Sequence, residues 1–341
     1  MKAAVLRAPF DLRIEDVPKP EVRPGYVVLR VKAAGICRTD LEIYRGAGTP
    51  EELGLKGGLP TILGHEFSGE VSEIGDGVKG FRPGDRVTCE CIIGCGVCSY
   101  CLSGRYNLCP NTLDFSNGAF AEFTAVPAKG LHKLPDNISF EEGALTEPTA
   151  VSIYAVKRAG IKPGDMVAIL GAGTIGFLCL QVAKAFGADR VLLTGTRDER
   201  LELGVKLGAD LAINVRREDP VRRVLEETGG RGVDSAIIAA AGDPSVLGQA
   251  IKMVRRGGHI AIIGLAGKKQ SQLLSDEIVF KDLTIRGVYA SPNTWETALY
   301  LMRKNLVKPR EIITHRFPLE KAPEAFRLLD ERKGVKIILK T

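Results

Sequence analysis

The sequence is poor in several residue types and contains no long apolar run. Its 341 residues include 4 His, 4 Met and 1 Trp, and aromatic residues make up 6%. Apolar stretches such as "HIAIIGLAG" are interrupted, and they are shorter than the roughly 20 apolar residues of a membrane-spanning helix. We therefore expect no membrane partner.

Neither sign of charge dominates the chain. Lys and Arg number 47 against 41 Asp and Glu, which gives a formal net charge of +6. Basic residues are interleaved with acidic ones, and the short groups that they form are typical of solvated helix faces. The sequence therefore does not predict a nucleic-acid partner.

Composition and the first residues indicate an ordinary globular protein. Hydrophobic residues make up 45% and charged residues 26%, and the length is typical of about two domains. The opening "MKAAVLRAPF" has neither the apolar core nor the cleavage site of a signal peptide. We expect a cytoplasmic protein, because a reducing compartment keeps thiols available for metal binding.

The pattern of apolar residues changes near residue 148. Before it, short β-rich runs such as "YVVLRVKAAGI" are punctuated by Gly and Pro, as in a turn-rich β domain. After it, apolar strands such as "MVAILGAG" alternate with helical segments. This alternation predicts a parallel sheet covered on both faces. The predicted fold class is therefore α/β, with a doubly wound second domain.

Four of the eight cysteines lie in one short segment, "GCGVCSYCLSGRYNLC". Cys95, Cys98, Cys101 and Cys109 follow the spacing C-x2-C-x2-C-x7-C. This spacing predicts a tetrahedral zinc site. The alternative, disulfide bonds, suits small secreted domains rather than a chain that can bury a large core. A site closed by four thiolates has no open position for a substrate, so the predicted ion is structural.

A glycine-rich turn follows the first strand of the predicted second domain. Gly171, Gly173 and Gly176 form G-x-G-x-x-G between a strand and a helix. There the glycines permit a tight turn, the approach of a pyrophosphate and close helix packing. The turn, with Thr174 and Ile175, predicts a dinucleotide site at the helix N-terminus. The alternative is a tight turn without a ligand.

The end of the second strand bears on which dinucleotide binds. An NAD site usually carries Asp or Glu there, whereas this chain has Gly195, followed by Thr196 and Arg197. A missing carboxylate and a nearby guanidinium favour a 2′-phosphate, so NADP(H) is predicted over NAD(H). The alternatives are that Arg197 is a solvated charge and that Asp198 restores a preference for NAD(H).

Two further segments, "AAGICRTDLEIYRG" and "PTILGHEFSGEV", contain candidate ligands of a second metal ion. Cys37, His65 and Glu66 lie near strand ends of the predicted β domain. A thiolate, an imidazole and a carboxylate are the ligands of an open catalytic zinc site. The alternative for His65 is a hydrogen-bonded core histidine.

Together these motifs strongly resemble the zinc-containing medium-chain dehydrogenases. The resemblance runs nearly end to end and includes "GHE", the four-cysteine segment, "GAFAEF", "LPDNISFEEGA", "GAGTIG" and "LEKAPEAFRLL". In "ALTEPTAV", Glu147 rather than a cysteine stands at the last metal-ligand position. The chain is therefore most similar to the sorbitol and threonine dehydrogenase branch.

The resemblance implies a fold, an activity and cofactors. The fold is a GroES-like catalytic domain over residues 1–148, completed by 288–341, and a Rossmann domain over 149–287. The activity is hydride transfer between a secondary alcohol or polyol carbon and a nicotinamide ring, with zinc as the Lewis acid, and the residues that end the second strand favour NADP(H) as the carrier of that ring. The assembly is a homo-oligomer, either a tetramer or a dimer.

The resemblance also implies roles for individual residues. Cys37, His65 and Glu147 would hold the catalytic zinc. Glu66 would be an adjacent, exchangeable ligand. Thr39 would be the first member of a proton relay.

Neighbouring positions are assigned in the same way. Asp40 would orient the ligating histidine, and Arg38 would reach the cofactor pyrophosphate. The alternatives are that Thr39 and Asp40 are turn residues and that Arg38 is a surface charge. Glu42 stands where many relatives carry a relay histidine, which puts the outer proton path in doubt. Tyr44 matches a substrate-facing aromatic residue of sorbitol dehydrogenases.

Other positions depart from the sorbitol dehydrogenase pattern. The Arg–Tyr pair that binds polyol hydroxyls falls on Ala290 and Ser291, and the loop over residues 45–60 is longer than expected. The remaining three cysteines are interpreted as buried or spare thiols: Cys89, Cys91 and Cys179.

Three alternative functions stay open. An NAD-dependent L-threonine 3-dehydrogenase-like enzyme would keep the whole site. A zinc-free quinone or enone reductase is disfavoured because all four candidate ligands are present. A non-enzymatic, NADP-binding structural or sensor protein would be expected to have lost a ligand, and none is lost.

Overall fold

The chain divides into two compact units. The computed structural model describes residues 1–47, 58–112, 114–115, 118–266 and 270–341. Unit 1 comprises Met1–Glu147 and Pro309–Thr341, and unit 2 comprises Pro148–Lys308. The predicted α/β fold class is confirmed.

The first part of unit 1 is rich in strands. These are β1 (Lys2–Ala8), β2 (Asp11–Asp16), β3 (Tyr26–Gly35), β4 (Thr61–Ile62), β5 (Glu66–Ile74), β6 (Arg86–Cys89), β7 (Ile92–Ile93), β8 (Asp114–Phe115), β9 (Phe123–Pro127) and β10 (Leu131–Lys133). Its helices are α1 (Arg38–Tyr44), α2 (Ser99–Leu102), α3 (Phe140–Ala144) and the start of α4 (Thr146–Arg158), with 3-10 turns at Tyr106–Leu108 and Ala128–Gly130.

Unit 2 alternates strands with helices. Its strands are β11 (Met166–Leu170), β12 (Arg190–Gly195), β13 (Leu211–Asn214), β14 (Val233–Ile238), β15 (Val254–Ile262) and β16 (Thr284–Gly287). Its helices are α5 (Thr174–Ala185), α6 (Asp198–Lys206), α7 (Pro220–Glu227), α8 (Val246–Met253), α9 (Ser275–Lys281) and α10 (Trp295–Arg303). The chain then returns to unit 1 with β17 (Ile313–Pro318), α11 (Ala322–Asp330) and β18 (Lys336–Lys340), and with 3-10 turns at Pro309–Ile312 and Leu319–Lys321.

Strand β3 is the centre of the main sheet of unit 1. The sheet runs β10-β6-β5-β3-β18-β17, and β9 also pairs with β3. Most residues of β3 are buried, and the core around them includes Phe67, Phe120 and Phe326. Because β3 ends at Gly35 and β5 begins at Glu66, the pairing Gly35↔Glu66 brings two candidate ligand segments together.

The sheet of unit 2 is parallel and doubly wound. Its order is β13-β12-β11-β14-β15-β16, and neighbouring strands pair in parallel. Strand β14 is buried along its whole length, as expected when helices cover both faces. This strand order places a topological switch point between β11 and β14, where α/β sheets bind ligands.

The second domain boundary differs from the sequence-based one. Residues 288–308 were expected in the first domain, but they belong to unit 2. The hydroxyl of Thr294 lies 2.9 Å from the carbonyl oxygen of Ala150, and Trp295 at the start of α10 is 2% exposed. The assignment of these residues was wrong because an amphipathic helix pattern does not specify which core the helix covers.

No described helix combines the length and the apolar character needed to cross a bilayer.

The core of unit 2 allows a stability prediction. Leu178 in α5 is fully buried, whereas Leu306 is 52% exposed. We expect Leu178→Ala to lower the free energy of unfolding by roughly 2–5 kcal/mol, because it removes packed atoms and leaves a cavity. Leu306→Ala should change it by less than about 0.5 kcal/mol. Denaturant titration followed by the fluorescence of Trp295, the only tryptophan, measures both; equal effects would contradict the described packing.

Candidate functional site

The four predicted cysteines form one cluster in unit 1. Their sulfur atoms all lie within 4.8 Å of one another, and all four are free thiols. The Sγ atoms of Cys95 and Cys101 are 3.9 Å apart, and those of Cys98 and Cys109 are 3.8 Å apart. These separations are much longer than a disulfide bond of about 2.0 Å. Four converging thiols are a donor set that fits zinc.

The local backbone favours a thiolate at one of these cysteines, Cys95. Backbone N–H groups of Val97 and Cys98 lower the pKa of Cys95 to about 6. Desolvation raises the pKa of Cys101 to about 11, so the cluster without an ion holds some of its protons. A bound cation would displace those protons, because metal ligands are thiolates.

Glu90 ties the four-cysteine segment to the sheet, which the sequence did not predict. Its carboxylate accepts a hydrogen bond from the hydroxyl of Tyr106 at 2.8 Å and lies 3.0 Å from Nε2 of His132 in β10.

Gly94 lies against the cluster itself. A Cβ atom at Gly94 would lie 2.7 Å from the sulfur of Cys101. Only glycine therefore leaves room for the sulfur at this point.

A second cluster joins the two segments that carry Cys37, His65 and Glu66. One ligand atom from each residue lies within 4.8 Å of those of the other two. Cys37 is the N-cap of α1, and His65 and Glu66 are buried where β5 begins. His65 and Glu66 follow Cys37 in the sequence by 28 and 29 positions, and the pairing of β3 with β5 brings the two segments together.

Asp40 connects the parts of this second cluster. Its carboxylate is 1% exposed and accepts hydrogen bonds from the backbone N–H groups of Cys37 at 2.9 Å and Gly64 at 3.3 Å. Its Oδ1 atom lies 3.4 Å from Nδ1 of His65. Nδ1 is therefore the ring atom that faces the carboxylate, which leaves Nε2 for a metal ion. Burial lowers the pKa of His65, but the charges of Asp40 and Cys37 outweigh it and hold that pKa well above its ordinary value.

Glu147 is buried beside this cluster, in the first turn of α4. Its carboxylate accepts a hydrogen bond from the thiol of Cys91 at 3.4 Å. Burial, and the charge of Glu66, raise the pKa of Glu147 to about 7 against the opposing charge of His65. Glu147 lies outside the set of ligand atoms within 4.8 Å of one another. Cys91 is therefore buried, as predicted, but it is not a spare thiol.

Lys336 is a residue of this cluster that the sequence analysis missed. Its side chain is 2% exposed and its Nζ atom lies 2.6 Å from Oε2 of Glu66. Burial lowers the pKa of Lys336, but the charges of Glu66, Cys37 and Glu147 raise it above its ordinary value. The sequence offered one indication of this residue, namely a lysine at the start of the otherwise apolar segment "KIIL".

The donor set of the second cluster fits zinc. Thiolate sulfur, imidazole nitrogen and carboxylate oxygen are the ligands that Zn²⁺ takes in proteins. Cys37, His65, Glu66 and Glu147 supply one thiol, one imidazole and two carboxylates, all in unit 1.

The glycine turn lies at the switch point of the unit 2 sheet. Gly171 has a φ of +124°, and a Cβ atom there would lie 2.6 Å from the backbone nitrogen of Ala240. A Cβ atom at Gly176 would overlap the carbonyl oxygen of Gly171, so the first turn of helix α5 is in close contact with the glycine turn. At Gly173 a Cβ atom would meet nothing within 4 Å, and its φ of −126° suits any residue. The space beside Gly173 fits a pyrophosphate, and Thr174 and Ile175 begin α5.

The end of β12 offers a second explanation for Gly195. A Cβ atom there would lie 2.9 Å from Cβ of Ala172 and 3.0 Å from Cδ2 of Leu201. Packing therefore accounts for this glycine without a phosphate. Thr196 is exposed, and Arg197 is the half-buried N-cap of α6.

Charged neighbours of β12 are also engaged. Asp198 accepts a hydrogen bond from Nδ2 of Asn214 at 2.7 Å and pairs with Arg217. Arg200, which the sequence analysis did not single out, has Nη1 3.5 Å from the carbonyl oxygen of Ala172 in the glycine turn. It therefore brings a guanidinium to the predicted dinucleotide site.

The outer residues of α1 make ion pairs with one another. Glu42 accepts hydrogen bonds from Nε of Arg38 at 2.5 Å and from Nη1 of Arg45 at 3.2 Å. The carboxylate of Glu42 is thus held in ion pairs with two guanidinium groups. Thr39 is half-buried in the first turn of α1.

Two expected substrate positions are used for packing. Tyr44 is 5% exposed, and its ring lies 5.2 Å from that of Phe10 and 5.1 Å from that of Phe326. Ser291 accepts a hydrogen bond from Nε1 of Trp295 at 3.1 Å. Residues 48–57 of the loop over 45–60 lie outside the described residues.

Known families match both parts of the chain. Residues 23–136 match the alcohol dehydrogenase GroES-like domain family, and residues 174–304 match the zinc-binding dehydrogenase family. Sorbitol dehydrogenase of Bacillus subtilis (strain 168) is 36% identical over 329 residues, which cover 95% of this chain and 92% of the relative. Sorbitol dehydrogenase of Homo sapiens is 36% identical over 98% of this chain and 94% of the relative.

Solved structures share the whole fold. Alcohol dehydrogenase TADH from Thermus sp. ATN1 has a TM-score of 0.92 and 33% identity, and the match covers 100% of this chain and 99% of that one. A zinc-binding dehydrogenase from Sinorhizobium meliloti 1021 bound to NADP has a TM-score of 0.92 and 30% identity, with 100% and 99% covered. An alcohol dehydrogenase (rspB) from E. coli CFT073 complexed with NADH has a TM-score of 0.91 and 29% identity, with 100% and 99% covered.

These matches confirm the resemblance found in the motifs. They extend over nearly the full length of both the chain and its relatives, and they agree with the donor sets and the glycine turn. The chain therefore belongs to the zinc-containing medium-chain dehydrogenase superfamily, in its sorbitol dehydrogenase-like branch, and is an oxidoreductase of the polyol and alcohol dehydrogenase family.

Proposed function

We propose that the protein oxidises a secondary alcohol or polyol, or reduces the corresponding ketone, with NADP(H) as the hydride carrier. The observation that carries this proposal is the convergence of Cys37 with the buried residues His65 and Glu66, with Asp40 behind the histidine. A zinc ion bound there would act as a Lewis acid on the substrate oxygen. The eight free cysteines suit a reducing compartment, which supports a cytoplasmic location.

Residues of the chain are proposed to bind the ion, to orient the histidine and to transfer the proton. Cys37, His65 and Glu147 would hold the ion, and Asp40 would keep the imidazole in the tautomer that leaves Nε2 free. Asp40, His65 and Glu147 are buried, and the exclusion of water around them strengthens electrostatic interactions with a substrate. Thr39, half-buried beside Cys37, carries the first hydroxyl of the proton relay.

The dinucleotide binds in unit 2. Gly171 and Gly176 permit the tight turn and its close contact with α5, and Gly173 leaves space for the pyrophosphate at the N-terminus of that helix, where the helix dipole favours negative charge. The guanidinium of Arg38 is half exposed beside Glu42, and Arg38 is proposed as a further pyrophosphate ligand.

The preference for NADP(H) rests on Gly195, Thr196 and Arg197. Gly195 leaves no carboxylate to repel a 2′-phosphate, and Arg197 supplies a cation at the same strand end. NAD(H) is the second candidate, because packing alone accounts for Gly195. The related structures include one bound to NADP and one complexed with NADH, so family membership does not decide between them.

The metal assignment predicts two separable ions. Elemental analysis should find about two zinc ions per chain, one in each cluster. Cys37→Ser should lose one ion and nearly all dehydrogenase activity with secondary alcohols and polyols. Cys98→Ser should lose the other ion and lower the thermal stability.

Cys179→Ser is the matched control, because Cys179 is buried in α5 outside both clusters. It should keep both ions. Full activity in Cys37→Ser would contradict the catalytic assignment.

The cofactor assignment predicts a loss of selectivity in Arg197→Ala. Wild type should bind NADPH more tightly than NADH, because a guanidinium–phosphate contact adds charged hydrogen bonds. The variant should weaken NADPH binding on the order of tenfold and leave NADH nearly unchanged. Fluorescence or thermal-shift titrations measure both affinities.

Lys206→Ala removes an exposed cation from the same helix and is the matched control. It should keep the preference of wild type. Tighter binding of NADH by wild type, unchanged in Arg197→Ala, would establish an NAD-linked enzyme.

The homo-oligomer is proposed to form at strand β16. Within the described part of the chain, β16 ends the sheet order and pairs only with β15. Val279 and Phe280 on the neighbouring helix α9 are 73% and 72% exposed. An unpaired strand edge next to apolar side chains favours pairing with a second copy.

The proposed interface predicts a change of mass in solution. Val279→Lys/Phe280→Lys should convert a dimer or tetramer to smaller species in light scattering after gel filtration, because charges there oppose burial. Val205→Lys, on a 53% exposed position of α6, should not. A monomeric wild type would disprove the assembly.

A further inference from the structure

A lysine is buried against a candidate metal ligand in unit 1. Lys336 begins β18, and its side chain is 2% exposed. An ammonium group is retained in the interior only where charges and acceptors replace its water. Its Nζ atom donates to Oε2 of Glu66 at 2.6 Å and to the carbonyl oxygen of Ile36 at 3.0 Å. Both acceptors belong to segments that carry candidate ligands.

The backbone fixes where this lysine lies. Strand β18 pairs with β3 through Ile338↔Gly35, and the N–H of Ile36 donates to the carbonyl oxygen of Ile337 at 3.0 Å. The start of β18 is therefore hydrogen-bonded to the residues that immediately precede Cys37. The backbone of Lys336 cannot move away without breaking the pairing of β18 with β3.

Gly35 provides an independent observation on the same carboxylate. A Cβ atom at Gly35 would overlap Oε2 of Glu66, the oxygen that Lys336 binds. Gly35 is not among the residues with positive φ, so the backbone does not require glycine there. The absent side chain instead keeps a space for the carboxylate, which Lys336 closes with a positive charge.

We propose that Lys336 is a positioning residue for Glu66: it holds the carboxylate beside Cys37 and His65 and limits how readily Glu66 enters the coordination shell of the catalytic ion. The inference rests on the proposed zinc site at Cys37, His65 and Glu147. Lys336 and a metal ion compete for one carboxylate. Removing the lysine therefore leaves the ion as the remaining cation for Glu66.

Chelator competition and cobalt substitution test the proposal. In Lys336→Met, the catalytic ion should leave more slowly, on the order of tenfold, which is the size of effect typical of groups that act through a metal ligand. The Co²⁺ form should show weaker visible bands, as a higher coordination number requires, and kcat should fall more than KM. Lys336→Arg keeps the charge and should resemble wild type.

Two internal controls accompany these measurements. The ion of the four-cysteine cluster should leave at the same rate in all variants. Lys340 lies in the same strand, but its side chain is 54% exposed and pairs with Glu141. Lys340→Met should therefore leave the rate of ion loss and the cobalt spectrum unchanged.

A double variant separates positioning from a structural role. If Lys336 acts through Glu66, Lys336→Met/Glu66→Gln should match Glu66→Gln alone in ion loss and in the cobalt spectrum. Additive effects, or a Lys336→Met variant that changes only the melting temperature, would overturn the proposal. If Lys336→Met does not fold, Gly35→Ala displaces the same carboxylate without changing charge and should give the same spectral change; an unchanged spectrum there also overturns it.

The outcomes distinguish this inference from the function on which it rests. A wild type that holds only the four-cysteine ion removes the proposed zinc site, and the role of Lys336 fails with it. A wild type with two ions and unaltered behaviour in Lys336→Met disproves the role of Lys336 alone.

Discussion

The carboxylate of Asp40 is the constraint on which the candidate catalytic centre depends. It is buried, it binds the backbone N–H groups of Cys37 and Gly64, and it faces Nδ1 of His65. A single side chain thus fixes the start of helix α1, the residue before the histidine and the orientation of the imidazole. Gly64 contributes a φ of +101°, and a Cβ atom there would meet the ring of Phe120 at 2.6 Å. The hydrophobic core therefore holds the histidine segment from the other side, so packing and hydrogen bonding define the same geometry.

The ionisable groups gathered at this site carry an excess of negative charge, and a lysine of the last strand reduces that excess. Cys37, Asp40, Glu66 and Glu147 can each carry a negative charge, and a bound dication would offset only two. Lys336 supplies one further positive charge, and it is held by β18, whose neighbours in the sheet are β3 and β17. The return of the chain to unit 1 at Pro309 therefore completes the electrostatics of the site as well as the sheet. A buried ion pair of this kind contributes little to stability, so its placement is better explained by the ligand that it contacts.

Motif spacing predicted the parts of the molecule whose partners are close in sequence. The four cysteines lie within residues 95–109, and the glycine turn lies between one strand and one helix, so local geometry was enough to bring their atoms together. The contacts that were missed join distant residues: Lys336 and Glu66 are 270 positions apart, and Cys91 and Glu147 are 56 apart. Periodicity identifies a buried position but not its partner. The same limit explains why helix α10 was assigned to the wrong unit.

Gly195 shows how one residue can satisfy two explanations that the sequence cannot separate. At the end of β12, a missing carboxylate is what a 2′-phosphate requires, and a missing side chain is also what Ala172 and Leu201 require, since a Cβ atom would lie 2.9 Å and 3.0 Å from their carbon atoms. The glycine is thus explained both by an NADP(H) site and by packing alone. Discrimination must come from groups with a charge to contribute, namely Arg197 at the N-terminus of α6 and Arg200 beside the glycine turn. Because Asp198 is bonded to Asn214 and Arg217, the carboxylate of that acidic residue is engaged at the end of β13, and the charge that separates the two cofactors must come from the two arginines.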